Sequence, residues 1–229
     1  PQRDRRLGGN SIASCFDSGT RGNTATMLIP TRFDDPVSGW QDIPGWFTWR
    51  DGQQEAAAHF PDGSRFVEVG LYLGRSLCSL LDVIRSAGRR DIVIGVDTCR
   101  GSGPEGRRDT DAHGGAVAHG GGTMAGLLHR NVIACGFADD VSLLISDSVA
   151  AAGLFADSSL SWVHLDARHD YDSIAADIGA WAPKVVPGGW LSGDDYHETQ
   201  WPGVVAAVRD LLPSAAPWSV QQWRWVKPD

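Results

Sequence analysis

From residue 65 onward the chain alternates short, continuous apolar runs with longer stretches of helical period. RFVEV (65–69) and IVIGV (92–96) are too short for helices and lack the alternation of a half-exposed strand. Runs of this kind, rich in Val and Ile, suit strands buried on both faces of a parallel sheet. VSLLIS (141–146), SWVHLD (161–166) and GWLSG (189–193) read the same way. Helical patterns occupy 75–87, closed by Gly88, then 123–136, 173–181 and 204–212, and a further helix is expected over 46–60, ending at Pro61. The tail WSVQQWRWV (218–226) alternates weakly and suits a closing antiparallel hairpin. The pattern predicts an α/β fold, doubly wound, with a mostly parallel sheet and a C-terminal antiparallel hairpin.

Two stretches fall outside this rhythm. Residues 1–45 are rich in Gly, Pro, Ser, Asp and Arg without a sustained period and read as an N-terminal arm or lid, leaving 46–229 as the main domain. Residues 99–122 turn to Gly, Arg, Asp and His and read as a mobile loop.

Composition narrows the function. With 229 residues, 42% hydrophobic and 21% charged, the chain can build one well-buried α/β domain. A formal charge of −8 argues against nucleic acid as a partner, since nucleic-acid binders present a basic face. No run of about 18 apolar residues occurs, so no membrane span is expected. The opening PQRDRRLGGNS has no apolar segment behind it and does not read as a secretory signal. Cys15, Cys78, Cys99 and Cys135 are scattered with no CxxC pair, which fits reduced thiols in a cytoplasmic protein.

Chemistry concentrates at the ends of the predicted strands, where open parallel sheets bind ligands. The first strand runs into Glu68-Val-Gly-Leu-Tyr-Leu-Gly74. Gly70 and Gly74 allow a tight turn and close approach of a ligand to the backbone, but the spacing is not the GxGxxG of nicotinamide sites. Asp97 ends the next strand, 27 residues after Gly70, and suits either the ribose hydroxyls of an adenosine group or a turn-capping role. Asp147 and Ser148 follow the third strand; an adenine edge and a helix N-cap fit them equally. Asp166 and the pair Asp194–Asp195 each follow a further strand. Carboxylates gathered there repel one another unless a cation neutralises them, and hard oxygen ligands suit Mg²⁺ or a similar divalent ion. The uncharged alternatives are a helix cap for one aspartate and the cofactor's ammonium for another.

EVGxxxG, a strand ending in VDT, and HLDARHDYDSIAADIGAWAPKVVPGGWLSGDDY together resemble the class I S-adenosylmethionine-dependent methyltransferases over about 65–212. The likeness is to the bacterial small-molecule O-methyltransferases of the cephamycin and macrolide-sugar type, with catechol O-methyltransferase more distant. It implies a Rossmann-like fold, with S-adenosylmethionine held by Glu68, Gly70, Tyr72, Gly74, Asp97, Asp147 and Ser148. It also implies Mg²⁺ on Asp166, Asp194 and Asp195, whose 28-residue separation matches the metal-dependent members. Three positions after the first ligand, where catechol O-methyltransferase has a catalytic lysine, this chain has His169, a base suited to neutral pH or else a substrate-orienting group.

The implied reaction is methyl transfer to an oxygen of a sugar or other small metabolite, with Asp166 and His169 as catalytic residues. An amino-sugar N-methyltransferase, needing no metal for acidification, is the competing reading; a binding protein without turnover and a dehydrogenase are the others. Trp40, Trp46, Trp49 and Trp201 are candidate stacking walls for the acceptor or else core or subunit contacts. Relatives imply a possible homodimer.

Overall fold

The computed structural model describes residues 33–103 and 112–229. Seven strands form one sheet in the order β3-β2-β1-β4-β5-β7-β6. Strands β1 (Arg65–Val69), β2 (Ile92–Asp97), β3 (Val141–Ile145), β4 (Leu160–Leu165) and β5 (Val185–Gly193) are parallel. β7 (Trp223–Val226) runs antiparallel to β5, and β6 (Ala216–Pro217) antiparallel to β7. The register sets Val69 beside both Val96 and Leu165, and Leu165 beside Gly193, so the C-terminal ends of the four inner strands meet at one edge.

Helices cover both faces. On one lie α1 (Arg50–His59), α2 (Arg75–Ser86) and α4 (Ala125–Ala134), with Leu77, Leu80, Leu81 and Ile84 of α2 packed into the core at the spacing of one helical face. On the other lie α5 (Ser148–Ala152), α6 (Tyr171–Trp181) and α7 (Pro202–Leu211), built around Ile174, Ile178, Trp181, Val204 and Val208. Burial of each such side chain contributes about 1.5–3 kcal/mol.

The structure departs from the sequence pattern at three places. Helix α3 (Ala112–His119) lies inside the stretch read as a loop, where Ala112 and Ala116 supply its buried face; glycines and histidines leave no apolar period there to read. Residues 104–111 of that stretch are outside the described residues. Strand β5 begins at Val185, paired with Leu160, four residues before the expected start; a register irregularity between Leu160 and Trp162 accommodates the Pro187-Gly188 kink. The terminal hairpin is shorter than the alternating run, with Pro217 tolerated on the sheet edge.

Residues 1–32 of the expected arm also fall outside the described residues. Residues 33–45 pack against the sheet domain through fully buried Ile43 and through a 3-10 turn at Trp40–Asp42, whose Asp42 carboxylate accepts from Ser38. Among the described residues no helix is long and apolar enough to cross a membrane. Cys78, Cys99 and Cys135 are free thiols; Cys15 is outside the described residues.

Candidate active site

The turn after β1 is held by the strand beside it. The backbone N–H groups of Leu71 and Tyr72 donate to Asp97 Oδ2 at 2.7 and 3.0 Å, and Cys99 N–H donates to Asp97 Oδ1 at 2.6 Å. Asp97 therefore clamps the turn with two bonds and its own following segment with a third, filling most of its acceptor capacity. The clamp lets Tyr72 occupy the left-handed region at φ 49°, an uncommon place for a bulky residue.

The glycines of the turn are required by protein packing as well as by conformation. Gly70 has φ 87°, and a Cβ there would lie 1.8 Å from the backbone oxygen of Asp166. Gly74 has φ 89°, and its Cβ would lie 2.7 Å from Leu128 Cδ1. Gly70 thus brings the turn after β1 directly against the end of β4. Glu68 is buried; its Oε1 accepts from Ser76 Oγ at the start of α2, and burial pushes its carboxyl up to about 8. The Tyr72 ring meets His113 of α3 at 4.7 Å and Trp46 at 5.5 Å between centroids, so the turn carries an aromatic wall on its outer side.

At the end of β3, Asp147 is the N-cap of α5, accepting from Ala150 N–H at 3.2 Å. Ser148 Oγ accepts from Trp181 Nε1 at 2.9 Å. The local structure gives both residues structural work, a helix cap for Asp147 and an indole partner for Ser148, while Asp97 paired with Ile145 keeps them at the C-terminal edge of the sheet.

Beyond β4 and β5 the chain gathers its acids. The Nε2 atom of His169 lies 2.7 Å from Asp195 Oδ2 and 3.7 Å from Asp166 Oδ1. One ligand atom from each of these three residues falls within 4.8 Å of the others. Asp194 stands behind them, with Oδ1 accepting from Asp195 N–H at 2.7 Å and from Gln222 Nε2 at 2.6 Å. Burial and then the neighbouring carboxylates raise Asp194 well above the ordinary range; burial, opposed by the His169 contact, lifts Asp166 to about 6. A cation would relieve that strain, and two to three carboxylates with a nearby imidazole are a donor set that fits a divalent ion. Of the three aspartates expected from the sequence, Asp166 and Asp195 share a ligand-distance group with His169, while Asp194 lies outside that group, its Oδ1 taken up by Asp195 N–H and Gln222.

Two contributors, Gln222 and Ser76, escaped the sequence reading. Gln222, from the C-terminal hairpin, holds Asp194 and is separated from it by 28 residues of chain with no motif to connect them. Ser76 holds Glu68, and only its place at the start of a helix hinted at a role. Trp201 packs its ring 4.3 Å from that of His169, which selects one of the candidate walls, whereas Trp49 is core, 1% exposed. His164, inside β4, is buried and stacked on Trp49 at 3.8 Å; burial holds its imidazole down at about 3, so it is neutral.

The methyltransferase-domain family matches residues 67–196. The chain belongs to that family. As a methyltransferase it shares its fold with several solved enzymes. The O-methyltransferase NovP is 18% identical, with 89% of this chain and 96% of NovP covered and a TM-score of 0.59. CalS11, a calicheamicin methyltransferase, is 18% identical over 79% of this chain and 77% of its own, with a TM-score of 0.54. A SAM-dependent O-methyltransferase from Thermotoga maritima is 12% identical over 81% of this chain and 68% of its own, with a TM-score of 0.51. Among curated proteins none matches the chain in sequence.

Proposed function

We propose that this methyltransferase transfers the methyl group of S-adenosylmethionine to a hydroxyl oxygen of a small, sugar-bearing metabolite, with a divalent cation beside the acceptor. The observation that carries the reading is the His169–Asp166–Asp195 cluster, set against the Gly70 turn by the packing of Gly70 on the Asp166 backbone. NovP is an O-methyltransferase and CalS11 a TDP-rhamnose 3'-O-methyltransferase, which supports a sugar hydroxyl as acceptor.

In this reading the Glu68–Gly74 turn, Asp97, Asp147 and Ser148 bind the cofactor, which supplies an electrophilic methyl on sulfur. Asp166, Asp194 and Asp195 hold Mg²⁺ or a similar ion, whose chemistry is to acidify a bound hydroxyl. His169 accepts the hydroxyl proton as the O–C bond forms and the C–S bond breaks. Asp195, 2.7 Å from the imidazole, fixes the direction in which Nε2 points. Trp201 restricts the ring to one orientation. Much of the acceleration comes from holding acceptor, methyl carbon and sulfur in line.

The test pairs activity with metal binding. Hydroxyl sugars and their amino analogues are assayed with S-adenosylmethionine before and after EDTA, and Mn²⁺ binding is followed by electron paramagnetic resonance. The expected result is EDTA-sensitive methylation of the hydroxyl substrate and loss of Mn²⁺ binding in Asp166→Ala. Methylation of the amine alone, unaffected by EDTA, would show the chain to be an N-methyltransferase.

A further inference from the structure

One register row of the sheet is polar inside an otherwise apolar face. Glu68 on β1 pairs with His164 on β4, and His164 with Ser192 on β5. All three are at most 1% exposed. Each lies two residues before a residue of the site on its own strand: Gly70, Asp166 and Asp194. Two residues of strand rise about 6–7 Å, so the row forms a layer directly beneath the site.

The hydrogens of this row can be assigned. Indole nitrogen only donates, so Ser192 Oγ accepts from Trp162 Nε1 at 2.8 Å. The serine hydroxyl still has its hydrogen to place, and His164 Nδ1, also 2.8 Å away, is its partner; we take the serine as donor, the alternative being a hydrogen on Nδ1. A buried neutral imidazole that accepts at Nδ1 carries its hydrogen on Nε2. With Nδ1 turned to β5, Nε2 lies on the side of β1, where Glu68 is the register partner of His164.

Three buried side-chain atoms, one each on β4, β1 and α1, have no hydrogen-bond partner among the described residues: His164 Nε2, Glu68 Oε2 and Gln53 Oε1. They belong to one ring of contacts. Ser76 donates to Glu68 Oε1 and accepts, through its carbonyl, from Gln53 Nε2 at 2.9 Å. Trp49, one helical turn before Gln53, covers the face of the His164 ring. Leaving three such groups unpaired costs about 1–3 kcal/mol each, and buried waters characteristically satisfy about three groups.

We propose that a single ordered water, bound by His164 Nε2, Glu68 Oε2 and Gln53 Oε1, completes this layer, and that His164 acts through it as a positioning residue for the cofactor turn. Such a water accepts from the imidazole and donates to Gln53. Toward Glu68 it donates to a carboxylate or accepts from a carboxylic acid, so the bridge survives either protonation state. It ties β1, β4 and β5 together one layer below the residues that hold cofactor and acceptor. The functional part rests on the cofactor site proposed above; the water itself does not.

Two measurements test it. A high-resolution crystal structure should show one water within hydrogen-bond distance of all three atoms, and imidazole ¹⁵N NMR at neutral pH should show His164 as the Nε2–H tautomer. A dry site or the Nδ1–H tautomer overturns the bridge, whatever the protein binds. S-adenosylhomocysteine affinity is then compared in His164→Gln, whose amide nitrogen reproduces Nε2, and His164→Asn, whose amide reproduces Nδ1. Both lose the ring stacked on Trp49 and should melt alike, but only His164→Asn should bind at least tenfold more weakly. Equal affinities in the two variants overturn the positioning role, whereas a wild-type protein that holds the water without binding S-adenosylhomocysteine overturns the cofactor site and, with it, that role.

Discussion

Replacing Asp97 by asparagine tests whether the cofactor turn is built by its neighbour strand or by the ligand. Asparagine has one acceptor oxygen where the carboxylate has two. If that oxygen serves Leu71 and Tyr72, the amide NH₂ faces the Cys99 N–H, donor against donor, across what was a 2.6 Å bond. One charged hydrogen bond is lost, about 1.5–3 kcal/mol, and two others fall from charged to neutral strength, about 1 kcal/mol each. The variant should therefore lose about 3–5 kcal/mol, a large share of the roughly 5–15 kcal/mol of a typical domain. Urea unfolding followed by circular dichroism, without cofactor, should show the midpoint lowered by about 1–3 M at an ordinary slope. A residue that served only the ribose would weaken cofactor binding and leave the unliganded protein unchanged. Stability of Asp97→Asn within about 0.5 kcal/mol of wild type would refute the clamp.

Further consequences follow from packing and charge. Gly70→Ala combines a left-handed φ with a Cβ 1.8 Å from the Asp166 backbone oxygen, so it should cost more than about 4 kcal/mol or prevent folding; wild-type melting would contradict the account. Ser148→Ala leaves the Trp181 indole N–H unpaired and should lower stability by about 1–3 kcal/mol in thermal unfolding; an unchanged melting temperature would contradict the account. Asp177, buried in α6, is raised to about 6, by burial first, from 3.8. Its folded value exceeds the unfolded one, so its contribution is fully present below about pH 4 and is lost as pH rises through 6, by about 3 kcal/mol. Asp177→Asn should match wild type near pH 4 and exceed it at pH 7; a difference independent of pH would show that the carboxyl's titration is not responsible.

The legible part of the site was the part written locally. Gly70 and Gly74 announce a turn wherever they follow a strand, and Asp166, Asp194 and Asp195 stand at strand ends whose convergence follows from parallel order alone. His169 was identified by its spacing from Asp166, though its 2.7 Å contact with Asp195, reached across two strands, was not. Gln222 was invisible because the hairpin delivers it to Asp194 from outside every motif. Helix α3 was missed for a different reason: a helix whose buried face is two alanines leaves no apolar period.

By itself the sequence determined the strand and helix order and the edge of the sheet where the chemistry lies, because burial on both faces demands continuous apolar runs and parallel strands share one C-terminal edge. It also determined the class of groups gathered there, a glycine turn and three aspartates. Only the tertiary structure decided what those groups do for one another. Gly70 proved to be fitted to the Asp166 backbone, Asp97 to the turn's own N–H groups, and Asp194 to Gln222. Such partners lie across strands, where hydrogen-bond geometry and close packing choose them, and neither is encoded in spacing along the chain.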